Sequence, residues 1–541
     1  EKYQGEVSLG LLTSSLALEG PIKKDKTSLL LAGRTTYSDW MLNLLPENSQ
    51  YKNGKAGFYD ANLLLSHQFS PKDNLYISGY YSHDRFNFLE NEKYEYVNAN
   101  ASLQWAHLFN DNFRLTTTTG YDHYDYTTKN WQSDFDAYQM GYDINQYYLK
   151  MDFNHSQLQK HRIDWGLNAI VYDINPGNVK PYGTGSFYVP KTLQKEKALE
   201  AALYLNEEWE ITPQLTASIG ARYSLFNAFG KRVINTYKEG ELPNTLNVTG
   251  TESKDGNLKT YHGPEFRLGL RYAFTDDFSM KAGFNTMRQY IHKVSNTMVM
   301  SPTDTWKLSD MFIEPQKGIQ YSLGFYKNLM DEKLEASIEG YYKTMDNYLD
   351  YRSGAQLLMN DHLETEVLPT EGRAYGAEFM YEYVGDELYG KLSYTLSKTD
   401  RYDFPSVCDG DVFHARFDRR HVLNMSAQWR GFKAALNAMS GHWENGAAET
   451  YLLPHLMNEV IITDYYGGKV NNFHMPTVFR LDLGYEFSFT TGRVKHDVNL
   501  GVCNVTNHFN PFMLYYDARS ETYKMIALLP ILPNFSYRIS F

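Results

Sequence analysis

At 541 residues the chain exceeds the roughly 250–300 at which a single soluble core stops growing, yet no Pro-, Ser- or Gly-rich spacer and no long charge block divides it. The net charge of −12, with Lys and Arg scattered, argues against nucleic acid as a partner, and no window approaches the roughly 18 apolar residues a spanning helix needs. Aromatics make up 15% of the chain, with 45 Tyr and 30 Phe, while mean hydropathy is −0.52. That pairing fits strands with one apolar and one wet face, flanked by aromatic girdles.

The chain opens on Glu1 with no charged-then-apolar leader, which leads us to expect that a segment has been removed or lies upstream. The first short connection is Gly20-Pro21-Ile22-Lys23-Lys24-Asp25, so Gln4–Leu18 reads as one strand descending from the outside. Segments of strict alternation then recur about every 20–30 residues. Leu215, Ala217, Ile219, Ala221, Tyr223 and Leu225 oppose Thr216, Ser218, Gly220, Arg222 and Ser224. Phe266, Leu268, Leu270, Tyr272 and Phe274 oppose Glu265, Arg267, Gly269 and Arg271; Phe479, Leu481, Leu483, Tyr485, Phe487 and Phe489 oppose Arg480, Asp482, Gly484, Glu486 and Ser488. A period of two is a strand. A sandwich core would have to bury Arg267, Arg271 and Glu486, whereas the wet lumen of a barrel would not.

Tight turns rich in Pro, Gly, Asn and Asp, such as Ser70-Pro71-Lys72-Asp73, Phe109-Asn110-Asp111-Asn112, Thr212-Pro213-Gln214 and Thr275-Asp276-Asp277, alternate with long stretches. The long ones are Asp39–Asn53, Asn175–Gln194, Phe229–Lys259, Lys293–Glu314, Tyr351–Glu366, Arg401–Val412 and Glu444–His474. Short on one side and long on the other is the outer-membrane barrel pattern. The last strand runs from about Lys524 to Phe541, with Phe535, Tyr537, Ile539 and Phe541 alternating against Asn534, Ser536, Arg538 and Ser540. The count is about 21 strands where bacterial single-chain barrels carry an even number. A first strand missing upstream of Glu1 would repair it; so would a miscount at Asn507–Asp517, which Pro511 interrupts.

Candidate sites follow from charge and aromatics. Arg267, Arg271, Glu378, Glu382, Arg480, Asp482 and Glu486 are expected to face the lumen or a plug. Phe417-Asp418-Arg419-Arg420-His421 reads as an inter-strand charge ladder near the rim, the alternative being contact with a ligand, a plug or lipopolysaccharide phosphates. Tyr138, Tyr142, Tyr182, Tyr188, Tyr465 and Tyr466 are the outer-loop candidates for ligand or partner contact, or for an outer girdle. His414, His421, His442, His455 and His474 lack ligand spacing; Cys408 and Cys503 form no metal motif. No nucleophile motif, phosphate loop or HExxH is present, so no cofactor and no catalysis is expected.

Several stretches resemble the barrel domain of TonB-dependent outer-membrane receptors, in the branch common in Bacteroidota and related to SusC-type transporters. They are Leu18-Glu19-Gly20-Pro21-Ile22 with Gly33-Arg34-Thr35-Thr36-Tyr37, Tyr321-Ser322-Leu323-Gly324-Phe325-Tyr326-Lys327-Asn328 with Glu339-Gly340-Tyr341-Tyr342-Lys343, and Gly372-Arg373-Ala374-Tyr375-Gly376-Ala377-Glu378. Phe417-Asp418-Arg419-Arg420-His421-Val422-Leu423-Asn424, Arg480-Leu481-Asp482-Leu483 and Asn504-Val505-Thr506-Asn507 continue the series. The resemblance implies an all-β, transmembrane antiparallel barrel of the 22-strand type; the chain, residues 1–541, is expected to depart from it in lacking the plug and the TonB-contacting segment and, by the parity of the strand count, the first strand. It implies import of a scarce or bulky ligand powered through TonB, residence in the outer membrane among lipopolysaccharide, and a surface lipoprotein over the loops. The ending is similar to the strand whose final aromatic is read by the barrel-assembly machinery, which makes Tyr537 and Phe541 the assembly signal. The competing reading is a receptor-like barrel serving as a scaffold subunit of a larger envelope assembly; a barrel enzyme such as a surface protease or lipase would need a Ser/His/Asp constellation on neighbouring strands.

Overall fold

The computed structural model describes residues 2–541 apart from 44–51, 53, 88–90, 159, 295–304, 352–354, 403–410, 447–448, 455–458, 465–469, 518–521 and 529. Among the described residues, twenty-two antiparallel strands pair with their neighbours in sequence and close into a barrel. The first half runs Gln4–Gly10, Thr13–Lys23, Thr27–Thr36, Lys55–Ser70, Asp73–Asn87, Glu92–Asn110, Phe113–Asn130, Tyr138–Leu158, His161–Pro181, Glu196–Thr212 and Leu215–Phe229. The second runs Asn257–Thr275, Phe278–Gln289, Gln316–Leu329, Leu334–Tyr351, Val367–Val384, Leu388–Tyr402, His421–Trp429, Phe432–Met439, Val478–Thr491, Val494–Cys503 and Leu532–Ser540.

The last strand pairs with the first, Val7 opposite Ile539 and Leu9 opposite Tyr537. Below them Gly5 and Phe541 exchange both backbone hydrogen bonds, at 3.0 and 2.9 Å. A Cβ at Gly5 would collide with the Phe541 ring, so glycine is what lets the terminal aromatic lie across the first strand. Closure leaves no unpaired edge, which a bilayer demands of any sheet that crosses it.

The expected count of about 21, with the first strand missing, is corrected. Gln4–Leu18 is two strands that turn at Leu11 and Leu12. Alternation hides this turn because it carries leucines where a turn residue would normally stand. Backbone bonds hold it instead, from the Leu11 N–H to the Phe535 carbonyl at 3.1 Å and from the Tyr37 N–H to the Leu12 carbonyl at 2.9 Å. The chain therefore rises from the side of its termini before it descends. At the other end, Asn510–Asp517 and Thr522–Leu528 pair only with each other, in a separate two-stranded sheet, and the final barrel strand begins at Leu532 rather than near Lys524.

Burial identifies the two faces of the wall. In Glu196–Thr212, Leu203 is 66% exposed while Ala202 is 5% exposed; in Leu215–Phe229, Ile219 and Tyr223 are exposed while Phe226 is fully buried. The exposed row is apolar and points outward, where lipid removes the cost of about 25 cal/mol per Å² that water would impose. The apolar clusters of the inner row gather near the loop side. There Ile144, Tyr172, Ile174, Ala198, Phe226, Ala228, Tyr290 and Leu308 form one cluster, and Val294, Ile313, Leu357, Leu363 and Val367 another. The long loops thus fold over the barrel mouth and carry their own small cores.

Candidate ligand site at the loop-covered mouth

The charged residues expected on the inner face are spread along the wall, some of them in pairs. Arg480 grips Asp482 through Nε at 2.8 Å and Nη2 at 2.6 Å, and Asp482 also accepts the Asn504 N–H at 2.8 Å. Glu486 pairs with Lys433, and Glu382 takes Lys391 at 2.9 Å and the Tyr389 hydroxyl at 3.1 Å. Glu378 stands opposite Glu339 and Thr395. Arg267 lies opposite Gly220 and Asn285, and Arg271 opposite Thr216 and Lys281. These groups do not converge on one point.

In the stretch from Phe417 to His421, Asp418 is buried and accepts the Thr399 N–H at 2.7 Å, with His414 at 3.2 Å and Arg420 at 3.7 Å. Arg419 donates to the Ser440 carbonyl at 2.8 Å and lies 3.2 Å from His442 Nδ1. Asp418, His414 and Arg420 thus form a charge cluster, while Arg419 bonds a carbonyl and an imidazole. Tyr138 and Tyr142 sit on a strand, Tyr142 with its ring centroid 5.1 Å from that of Tyr126. The Tyr138 ring lies 5.1 Å from Tyr188, and Tyr182 lies 5.8 Å from Trp131, so two neighbouring loops bring Tyr138, Tyr182 and Tyr188 to one place. Phe135 and Phe187 stack beside them, both exposed. Tyr465 and Tyr466 fall outside the described residues. Tyr537 stacks on His496, its hydroxyl 2.7 Å from Nδ1.

Two constellations at the mouth were not anticipated from the sequence. The first ties three loops to the wall. Lys307 Nζ lies 2.6 Å from both Glu196 Oε1 and Asp310 Oδ2, and Arg232 is 3.3 Å from Asp310 and 3.7 Å from Glu196. Leu308 N–H donates to Glu196 at 3.0 Å, and the Tyr237 hydroxyl donates to Glu364 at 2.8 Å. Burial alone would raise the Asp310 carboxyl, but Lys307 and Arg232 outweigh it and hold the group below the usual carboxylate range. Beside it, burial and then Lys307 push the His292 imidazole down to about 4, neutral and 2.9 Å from the Ser309 hydroxyl. Only the Lys307–Asp310 spacing of three residues hints at this network in the sequence.

The second is a cavity of about 400 Å³ under the loops, lined by Tyr348, Asp350, Arg401, Arg416, Phe417 and Lys293 among others. Arg401 is 2% exposed, and neither terminal nitrogen has a hydrogen-bond partner among the described residues. Its guanidinium lies 3.8 Å from the Tyr348 ring centroid and 5.5 Å from that of Phe417. A Cβ on Gly372, directly across the strand pair, would stand 2.5 Å from Nη1, so glycine there makes room for the guanidinium. Arg416 reaches the Tyr351 hydroxyl at 3.2 Å and Glu444 at 3.6 Å. Among the described residues no group of His, Cys, Asp and Glu is arranged to hold a metal ion.

A closed twenty-two-strand barrel with short turns on one side and a loop-covered mouth on the other is the architecture of a large membrane receptor barrel. The family model described as "TonB dependent receptor-like, beta-barrel" matches residues 36–507, and the chain belongs to that family. Among solved structures it is similar to the ferric citrate transporter FecA in its unliganded form, at 13% identity and a TM-score of 0.70, with 100% of this chain and 78% of that one covered. It is also similar to the ferric yersiniabactin uptake receptor FyuA from Yersinia pestis (12%, TM-score 0.69, 100% and 80% covered) and to the copper transporter OprC (12%, TM-score 0.66, 100% and 80%). At these identities the likeness is one of fold. No protein of curated function matches the sequence.

Proposed function

We propose that this chain is the barrel of an outer-membrane receptor that imports a scarce or bulky ligand with energy delivered through TonB. The observation that carries the reading is family membership over residues 36–507 together with a mouth whose loops enclose a charged cavity. The structurally similar proteins named above transport ferric chelates or copper, which supports a chelate, a metal ion or another solute beyond the reach of porins as cargo. TonB is engaged in this reading by a segment outside the sequence, and the barrel-assembly machinery reads the ending at Tyr537 and Phe541. The motifs around Gly372 and Phe417 support the SusC-related branch of Bacteroidota, and with it a surface lipoprotein seated over the loops. Arg267, Arg271, Glu378, Glu382, Arg480, Asp482 and Glu486 then supply the charged wall that a plug slides against. The test is accumulation of candidate solutes by cells with and without the receptor and TonB; the scaffold alternative predicts no dependence on either.

A further inference from the structure

We propose that the cavity beneath the outer loops is an oxyanion site in which Arg401 is the principal donor, taking a carboxylate or phosphate group carried by the imported ligand. The proposal rests on the receptor reading for what delivers the anion, but not for the chemistry of the site.

A guanidinium cannot shed its proton at any ordinary pH, so burying Arg401 carries a desolvation cost that must be met by a partner. Its two terminal nitrogens find none among the described residues. Two neighbouring carboxylates give it no hydrogen bond, although Asp350 is shared through space between Arg401 and Arg416. Asp350 accepts the Tyr351 N–H at 2.9 Å, and Asp400 belongs to the opposite face of the strand, where it meets Lys398 at 3.0 Å and Arg373 at 3.3 Å. The flat faces of the guanidinium are occupied by Tyr348 and Phe417, a contact worth about 0.5–2 kcal/mol that orients the group without using its N–H bonds. The N–H bonds of Nη1 and Nη2, buried and unused among the described residues, form the fork that matches the two oxygens of a carboxylate or phosphate.

The surroundings favour the same charge. Among the described residues, three cations, Lys293, Arg401 and Arg416, line the cavity against one carboxylate, Asp350. The amides of Gln316 and Asn471 complete a polar wall, and a volume of about 400 Å³ admits a small organic acid or one anionic arm of a larger chelate. Phe417 and Gly372, which lie in the stretches that resemble the family, act here as the stacking plate and the clearance for the arginine.

The test uses the full-length receptor in detergent, titrated calorimetrically at pH 7 with citrate and, separately, with inorganic phosphate. The proposal expects saturable binding of at least one of the two, weakened at least tenfold in Arg401→Gln, retained in part in Arg401→Lys, and unchanged in Arg493→Gln, which lies at a turn on the far side of the barrel. It also expects Arg401→Met, which removes a buried charge in excess of the one carboxylate that Arg416 shares with it, to leave the thermal midpoint no lower than that of the wild type. Absence of binding by both anions, or equal binding by Arg401→Gln, overturns it. So does a lowered midpoint in Arg401→Met, the mark of an arginine neutralised by a carboxylate of the protein itself. Loss of anion binding with TonB-dependent accumulation intact removes the site alone; anion binding without such accumulation removes the transporter reading alone.

Discussion

Replacing Lys307 by Met should loosen the loop cap without disturbing the barrel. Lys307 is 5% exposed and holds two carboxylates, Glu196 and Asp310, each at 2.6 Å and each almost as buried. Removing one partner of a buried ion pair costs about 3–5 kcal/mol, because the other charge is left without compensation. Arg232 stays within 3.3 Å of Asp310 and 3.7 Å of Glu196, which places the effect near the lower end, about 3 kcal/mol. At 1.4 kcal/mol per tenfold, local opening becomes about a hundredfold more frequent. Native-state hydrogen exchange reads it at the N–H of Leu308, which donates to Glu196, and of Phe312 and Ile313, which donate to Asp310 at 2.9 and 3.1 Å. Amides of the Asn257–Thr275 and Phe278–Gln289 pairing serve as the internal reference. In the wild type Asp310 is held below its usual range, so its contribution is present above the unfolded value near 4 and is lost as pH falls through the lower folded value. In the variant, burial is opposed by Arg232 and the backbone bonds without Lys307, so the Asp310 carboxyl takes up its proton at higher pH than in the wild type and the gap between the two should narrow on acidification. Equal exchange in both proteins, or acceleration spread through the barrel strands, would refute the reasoning.

The His292 imidazole is held at about 4 against an ordinary 6.5, so folding disfavours its protonated form. The cap should gain stability as pH rises from about 4 to 6.5, by about 3 kcal/mol, and Arg232–Tyr237 and Thr305–Leu308 amides should exchange faster below that window. His292→Gln, which keeps a polar atom for Ser309, should flatten this dependence; an unchanged pH profile would count against it. Closure between the first and last strands can be trapped chemically. Glu6 lies opposite Ser540 at a non-hydrogen-bonded position, since the adjacent Gly5–Phe541 pair exchanges both backbone bonds. Glu6→Cys with Ser540→Cys should therefore form a disulfide in membranes and give a cyclised species on a denaturing gel, whereas a barrel missing its first strand would leave both thiols free to alkylating agents.

The barrel was legible where its physics is local. Period-two alternation set the orientation of the Leu215–Phe229, Asn257–Thr275 and Val478–Thr491 strands, and Pro, Asn and Asp marked the turns at Ser70–Asp73, Asn110–Phe113 and Thr212–Leu215. It failed at Leu11 and Leu12, where the turn is held by bonds to strands far along the chain, and at Asn510–Asp517, whose alternation serves a loop hairpin. The mouth was less legible. Glu196, Arg232 and the Lys307–Asp310 pair come from three separate segments, and beyond the three-residue step between Lys307 and Asp310 nothing in their spacing says that they meet. Arg401 looked like the first residue of a loop; its interest lies in a missing partner, which only the packing of Tyr348, Gly372 and Phe417 around it reveals. The outer-loop tyrosines were found by composition, but their pairing across two loops, Tyr138 on Tyr188 and Tyr182 on Trp131, belongs to the tertiary fold.

The most direct measurement is solute accumulation in four isogenic strains, with and without the receptor gene and with and without TonB, supplied in turn with ferric chelates, copper, cobalamin and oligosaccharides. A TonB-dependent importer accumulates one class only where receptor and TonB are both present, and a proton-motive-force uncoupler abolishes it. If no class depends on the pair while the protein is recovered in fixed stoichiometry with other envelope proteins, the transporter reading is contradicted and the scaffold reading takes its place.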